Sequence, residues 1–229
     1  MYGTSTKERL RLVGASCGAL FAVLTFTAYA FNTGPSSGNG ITVVEYYSTH
    51  ETETLWGAAL VGLAAVCLIW FAETFAGATA FGSAGIAGAA ATVGLYLVAV
   101  GCWAMLGELY GGVDPVGLPS EWYSDAHVLY LVGVGASHMG NFAAAAFVGA
   151  TTAAFLASGA RWRLLGALGV AVTAFRLISA LIELASTSHW SDVVSIAGFL
   201  VFLAWVFAVS VMLVVRVRRG TAFVPQTVA

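Results

Sequence analysis

Charged residues are scarce in this chain of 229 residues, of which they make up 9%. Soluble domains carry roughly 25% charged residues, whereas 59% of this sequence is hydrophobic. So few charges exclude a soluble globular domain, because most of the surface must then contact lipid or other apolar helices. They also exclude nucleic acid as a partner, since the basic residues are divided among short segments and form no extended patch.

Lysine, cysteine and histidine are also rare. The single lysine, Lys7, precedes the first apolar segment, which excludes a retinal protein because its Schiff base needs a lysine inside a helix. All three cysteines fall in apolar segments, so no disulfide framework is expected. His138 has no second histidine inside another apolar segment, which argues against a bis-histidine haem. The sequence therefore predicts no cofactor.

Six apolar segments are long enough to cross a membrane, for which about 20 residues suffice. The predicted helices span residues 12–31, 54–73, 84–110, 126–157, 164–186 and 193–215. The sequence thus predicts an all-α, six-helix transmembrane bundle, formed as one integral membrane domain by residues 1–229.

Basic residues mark one face of the membrane. They lie before helix one, between helices four and five, and after helix six, whereas acidic residues occupy the alternate connections. These basic residues are Lys7, Arg9, Arg11, Arg161, Arg163, Arg216, Arg218 and Arg219. Cytoplasmic connections of membrane proteins carry an excess of lysine and arginine. The pattern predicts a plasma-membrane protein whose N and C termini are both cytoplasmic.

The longest outer connection covers residues 32–53. It begins with a run rich in glycine and serine, and residues 41–47 then combine β-branched and aromatic side chains. Such a run is typical of a short strand, or of a segment that lies at the membrane interface.

Arg176 is the one basic residue inside an apolar segment, roughly 18 Å from the inner end of predicted helix five. An arginine near the midplane costs on the order of 2.5–3.5 kcal/mol to insert unless it is paired, and ionisable residues there indicate a functional site. Ser179 and Glu183 follow on the same helical face. Helix five therefore carries a polar stripe from the midplane to the outer surface.

Predicted helix four carries a matching stripe, with His127 near its outer end and His138 and Asn141 deeper. The short link between helices four and five predicts antiparallel packing, which brings the deep residues level with the arginine. Glu183 and, on helix three, Glu108 are the available counter-charges. Because Glu183 lies about 10.5 Å along the helix axis from the arginine, water or a third group is expected to bridge them.

Two interpretations of these residues remain open. In the first, they line an outward-open pocket between helices three to five that binds or transports a small polar or amphiphilic ligand, because arginine suits an anion and histidine exchanges a proton near neutral pH. In the second, they form a structural network in a non-catalytic accessory subunit that contacts a membrane protein partner. An intramembrane enzyme ranks third. The candidate ligand-binding residues are Arg176, His138, Asn141, Glu183, Glu108, His127 and Ser179.

Three histidines are candidate metal ligands: His50, His127 and His189 are all expected near the outer surface, among several acids. Zinc requires three or four convergent ligands, and no two of these histidines have a ligand spacing. The sequence therefore predicts no metal site, and these histidines are only weak candidates for one.

The layout resembles a broad group of bacterial, largely actinobacterial, integral membrane proteins. The resemblance rests on the six-helix plan, the long first outer connection and the turn at residues 160–166, and it covers most of the chain. Because no activity is assigned to that group, the resemblance implies architecture only.

Overall fold

The regular elements of this computed structural model are all α-helices. The structure describes residues 6–31, 34–35, 37–76, 82–157, 162–185 and 189–219, and among these the side chains of 7, 8, 75, 76 and 189–192 are not described. The helices are α1 (Thr6–Phe31), α2 (Gly40–Thr49), α3 (Glu51–Ala76), α4 (Gly82–Tyr110), α5 (Ser120–Ala157), α6 (Arg163–Ala185) and α7 (His189–Arg218).

Six of the helices in these ranges, all except α2, are long and apolar enough to cross a membrane. The chain is therefore a multi-pass membrane protein, and the predicted all-α six-helix bundle is confirmed. The largest differences in predicted helix ends are at α1, which begins at Thr6 rather than residue 12, and at α5, which begins at Ser120 rather than residue 126. Both helices continue into polar sequence, because hydropathy marks the border of the lipid and not the end of helical hydrogen bonding.

The six long helices form a closed ring. Each packs chiefly against two others, in the order α1, α3, α4, α5, α6, α7 and back to α1. Successive long helices in the chain are thus neighbours in the ring, and the contact of α7 with α1 closes it. This arrangement leaves a central space that all six helices can line.

The two ends of the ring differ in charge. Ser210 of α7 accepts a hydrogen bond from the backbone N–H of Ala19 at 2.8 Å and donates to the carbonyl of Ala15, so the C-terminal half of α7 lies beside the N-terminal half of α1. Arg216 lies over the ring of Trp162, where α6 begins, at 4.0 Å from its centroid. We call this end the basic end and the opposite one the α2 end. The basic end carries Arg9, Arg11, Arg163, Arg216 and Arg218.

Aromatic side chains fill the ring in its basic half. Phe155 stacks on Trp162 with 5.0 Å between ring centroids, and Trp205 lies 6.3 Å from Phe155. Phe71 and Phe147 meet edge to face at 6.4 Å. All five side chains are buried, and together they form the aromatic core that closes the ring toward the basic end.

Glycine allows α1 to approach α3 closely. A Cβ atom on Gly18 would lie 2.5 Å from the ring of Phe71, and one on Gly14 would collide with Thr74. Small residues at such positions let membrane helices approach one another. The small-residue face of α1 is therefore occupied by packing within the chain.

Residues 41–47 lie within helix α2, so the strand alternative for this segment is wrong. The side chain of Asn39 caps the helix by accepting a hydrogen bond from the N–H of Thr42 at 2.9 Å, and asparagine is among the preferred N-cap residues. The helix ends at Thr49, and the chain turns at His50 into α3.

Helix α2 packs against α3, α4 and α5 at the α2 end of the ring. Its residues Val43, Val44 and Tyr47 are fully buried, and this burial overrides the strand preference of β-branched and aromatic side chains. A Cβ atom on Gly40 would collide with the backbone carbonyl of Tyr123, so glycine lets α2 lie directly on α5. Helix α2 thus covers part of the opening of the ring.

Candidate functional site

A cavity of about 570 Å³ occupies the ring between the aromatic core and α2. Residues from the described parts of α1, α2, α3, α4, α5, α6 and α7 line it, whereas the sequence predicted a pocket lined by α4, α5 and α6 alone. More helices contribute to the lining than predicted, because the ring exposes one face of every long helix to the same central space. Pockets that hold small molecules measure about 300–1,000 Å³, and this cavity falls within that range.

Arg176 borders the cavity at mid-depth. At 1.5 Å per residue it lies about 20 Å from the start of α6 and about 14 Å from its end. The side chain is only 1% exposed and is the largest fully buried side chain described. A charge at this depth therefore needs partners within the bundle.

Two side chains from other helices accept hydrogen bonds from Arg176. Its Nη2 donates to the hydroxyl oxygen of Tyr96 on α4 at 2.9 Å and to Oδ1 of Asn141 on α5 at 2.5 Å. The Tyr96 hydroxyl in turn donates to the same Oδ1 at 2.8 Å. A hydrogen bond to a charged group contributes about 1.5–3 kcal/mol, so this pair offsets an insertion cost of about 2.5–3.5 kcal/mol.

The network continues from Asn141 to an acid. Nδ2 of Asn141 donates to Oε2 of Glu183 at 2.7 Å, and Nε2 of His138 lies 3.8 Å from the same oxygen. The Glu183 side chain is 4% exposed and that of His138 is 28% exposed. Asn141 is thus the third group that links Arg176 to Glu183, and the imidazole of His138 is more exposed than the carboxylate.

Several polar atoms of this network have no hydrogen-bond partner among the described residues: Nε and Nη1 of Arg176 and Oε1 of Glu183. Within the described part of the chain, no carboxylate lies at ion-pair distance from Arg176. Its Cζ lies 5.4 Å from the ring centroid of Phe202, a cation–π contact that compensates part of the charge. The guanidinium therefore keeps capacity for a further acceptor.

The other walls of the cavity are mostly apolar, with a few polar groups. Burial raises the pKa of the Tyr47 hydroxyl, and the nearby Tyr130 and Tyr46 hydroxyls add to the rise, so this group of α2 stays neutral. Thr25 Oγ1 and Trp103 Nε1, both on lining residues, are buried without a hydrogen-bond partner in the described structure. Buried polar groups usually bond to protein, water or ligand.

The cavity reaches the surface on the side of α1 and α7. Among its described lining residues, Tyr29, Ser37 and Ile196 are exposed on the outside of the bundle. Tyr29 lies near the end of α1, Ser37 follows in the connection to α2, and Ile196 lies near the start of α7. A residue that both lines a cavity and is exposed marks the mouth of that cavity.

The structure does not bring all the predicted residues together. Arg176, Asn141, Glu183 and His138 form one network, but Glu108 is exposed on α4 and takes no part in it. The expectation of Glu108 as a counter-charge to the arginine is therefore wrong. The cause is geometric, since the acid lies near the α2 end of its helix and faces away from the ring.

Ser179 and His127 also lie outside the cavity lining. Ser179 is buried where α6 meets α7, because a Cβ atom on Gly198 would lie 2.8 Å from its Oγ, and that Oγ donates to the Arg176 carbonyl at 3.0 Å. Nδ1 of His127 donates to the carbonyl of Gly38 at 2.5 Å. Both residues make structural contacts beside the cavity rather than lining it.

The histidines weighed as metal ligands lie apart from one another where they are described. His50 stacks on Tyr46 with 4.3 Å between ring centroids, and His127 is held by Gly38. The side chain of His189 lies outside the described residues. In the described ranges, no three His, Cys, Asp or Glu side chains are grouped closely enough to hold a metal ion.

Tyr96 is the site residue that sequence reasoning missed. It lies in the middle of the apolar helix α4 and joins Arg176 to Asn141 through its hydroxyl. The sequence did carry one signal. Aromatic residues with a polar tip are enriched at the membrane interfaces, so a tyrosine far from either interface is unusual.

A buried arginine, an amide, a carboxylate and an imidazole thus meet beside one cavity with largely apolar walls. Comparisons of the chain with models of protein families, with curated proteins and with solved structures gave no match.

Proposed function

We propose that the chain is a ligand-binding membrane protein that holds one small amphiphilic molecule with an anionic group in its central cavity. The observation that carries this proposal is the guanidinium of Arg176, which borders a cavity of about 570 Å³ and has no direct carboxylate partner among the described residues. Arginine is well suited to a carboxylate, because its planar fork of donors matches the two oxygens.

We further propose that the protein lies in the plasma membrane of a bacterium with its α2 end outside. Support comes from the basic end, because lysine and arginine collect at the cytoplasmic side of membrane proteins. With six crossings, both termini then lie in the cytoplasm. The cavity would take its ligand from the side of the membrane opposite to the cytoplasm.

The packing of the basic half favours binding over transport. The aromatic core, including Phe155, Trp162 and Trp205, fills the ring between the cavity and the basic end. A ligand that crossed the membrane would have to displace these stacked rings. A pocket that is closed on one side suits a protein that senses or retains its ligand.

The alternative function is that of an accessory subunit in which the same network is structural. The observation that favours it is that Arg176 already has two acceptors, Tyr96 and Asn141, within the bundle. The two functions differ in whether a ligand reaches the cavity, and a thiol placed in the cavity lining distinguishes them.

The test uses a background without Cys17, Cys67 and Cys102. Ser137→Cys places a thiol in the cavity lining, and Ser179→Cys places one in the contact of α6 with α7 as a matched control. We expect a small membrane-permeant thiol reagent to label Ser137→Cys and to leave Ser179→Cys unlabelled. We expect octanoate to slow the labelling of Ser137→Cys more than octanol or octylamine does.

Replacing the arginine completes the test. With Arg176→Gln added, octanoate is expected to lose its protection, and with Arg176→Lys part of the protection is expected to remain. Equal effects of the three octyl compounds would contradict an anionic ligand. An unlabelled Ser137→Cys in folded protein would support the accessory-subunit alternative instead.

A further inference from the structure

We propose that the ligand is a long-chain carboxylate that reaches the cavity sideways from the lipid leaflet at the α2 end, between α1 and α7. This inference rests on the proposed function and adds the class of ligand and its route. It starts from the part of the mouth between α1 and α7, which is bordered by Tyr29, at 40% exposure, and Ile196, at 38%.

The mouth lies at the level of the membrane. Tyr29 and Ile196 both fall inside apolar spans, Arg9–Phe31 and Val193–Arg218. The side chains around them on the outside of the bundle are large, apolar and exposed; they include Phe26, Val193 and Leu200. A molecule that enters between such residues comes from the hydrocarbon rather than from water.

Helix α2 separates the cavity from the end of the ring. Its residue Tyr47 lines the cavity, and the hydroxyl of Tyr46 accepts a hydrogen bond from the N–H of Gly34 at 3.2 Å. This bond ties Gly34 to α2, and helix α2 covers part of the end of the ring. The side opening between α1 and α7 is the part of the mouth that an apolar chain would enter from lipid.

Two aromatic rings stand at the side opening. Tyr29 and Phe199 contact each other across α1 and α7 with 5.5 Å between ring centroids. Further toward the basic end, Ser210 bonds to the backbone of Ala15 and Ala19 and holds the same two helices together. Side-chain rotation at Tyr29 and Phe199 can thus widen the mouth while α1 and α7 stay joined nearer the basic end.

An acyl chain would lead from the arginine toward the mouth. Along α7, Phe202 lies about 9 Å deeper than Ile196, and its ring lies under the guanidinium of Arg176. The carboxylate would sit at Arg176, and the chain would run back along apolar lining residues toward the mouth. Lining residues between these two levels include Val100, Val134 and Phe199.

The inference is tested by closing the side opening reversibly. Tyr29→Cys with Phe199→Cys, in the background without native cysteines, places two thiols where the rings now meet, and mild oxidation or a short bismaleimide would join them. The probe is hexadecanoate with a photoreactive diazirine in its chain, added to the lipid of proteoliposomes. Mass spectrometry locates the labelled residues after illumination.

We expect the open protein to be labelled on cavity residues. After oxidation, we expect that labelling to fall to the level of the unilluminated sample and to return on reduction of the disulfide. The two single cysteine variants, oxidised in the same way, should label as the open protein does. In Arg176→Gln, cavity labelling should fall on the order of tenfold, as expected from the loss of about 1.4 kcal/mol of binding.

Three results would overturn parts of the inference. Cavity labelling that is unchanged by the disulfide would exclude the side route. Equal labelling by a hexadecanol probe would exclude the carboxylate. If hexadecanoate fails to label while octanoate still protects Ser137→Cys, the ligand class is wrong but the proposed function stands. If octanoate fails to protect as well, the proposed function has failed with it.

Discussion

Arg176 and Glu183 lie two turns apart on α6, and the side-chain amide of Asn141 on α5 joins them, accepting from the first and donating to the second. The oxygen of the amide faces the cation, and its nitrogen faces the anion. This arrangement sets the orientation of Asn141 and lets two opposite charges stabilise each other without direct contact. Removal of either charge leaves the other as a buried ion without its counterpart.

The first prediction concerns the coupling of these charges. Arg176→Gln and Glu183→Gln should each destabilise the protein. The double variant should be less destabilised than the sum by about 0.6 kcal/mol, the average for hydrogen bonds within a membrane, and by at most about 1.7 kcal/mol. The measurement is the free energy of unfolding in mixed micelles. Arg176→Gln with Glu108→Gln is the matched control, because Glu108 is exposed. Strict additivity with Glu183, or coupling with Glu108, would contradict the network.

The second prediction concerns the tyrosine in the network. Tyr96→Phe removes an acceptor from Arg176 while keeping the ring, and it should destabilise the protein by about 1.5–3 kcal/mol, the contribution of a hydrogen bond to a charged group. In the Arg176→Gln background, the same substitution should cost much less. An equal cost in both backgrounds would show that the hydroxyl acts elsewhere.

The third prediction concerns the contact of α1 with α3. Gly18→Ala forces a methyl group against the ring of Phe71 and should destabilise by about 1–3 kcal/mol, as overpacking does. The matched control is Gly101→Ala on α4, because a Cβ atom there has nothing within 4 Å. The control should leave the stability unchanged or raise it, whereas Gly18→Ala should lower it. Thermal unfolding of the two variants measures this difference.

The fourth prediction concerns helix α2. Asn39→Ala removes the side chain that caps it and should destabilise the helix by about 1 kcal/mol, whereas Asn39→Asp keeps an acceptor and should have little effect. Hydrogen exchange should become faster in residues 40–49 and remain unchanged in the long helices. Faster exchange throughout the chain would instead indicate that α2 unfolds only with the whole protein.

The fifth prediction concerns orientation in the membrane. Ser37→Cys at the α2 end and Arg219→Cys at the basic end are both exposed positions. In intact cells without native cysteines in the chain, a membrane-impermeant thiol reagent should label the first and not the second, and permeabilised cells should show labelling of both. Labelling of Arg219→Cys from outside would reverse the proposed orientation.

The long helices could be predicted because each is an apolar segment of sufficient length, and lipid requires such a segment to be helical. The depth of Arg176 and its link to Asn141 followed from counting residues along two antiparallel helices. Helix α2 could not be predicted in this way. Its Val43 and Val44 favour a strand locally, and it is helical because Asn39 caps it and its inner face is buried.

The counter-charge was predicted only in part. Glu183 lies on the same helix as Arg176, so helical periodicity places both on one face. Glu108 lies on another helix, and periodicity within one helix cannot say which way a neighbouring helix is rotated. The same lack of rotational information hid Tyr96, whose hydroxyl reaches the network because of how α4 turns toward α5 and α6.

The closed ring makes a hollow centre unavoidable. Packed helices lie about 8–10 Å apart axis to axis, so opposite members of a six-membered ring are about twice that distance apart, whereas a helix with its side chains is about 10–12 Å wide. A gap of several ångströms remains along the axis and must hold something. In the basic half it holds phenylalanine and tryptophan rings. In the other half, small residues such as Gly57, Ala58 and Ser137 stand among the larger side chains of the lining. A larger side chain at one of these positions would take up part of the hollow.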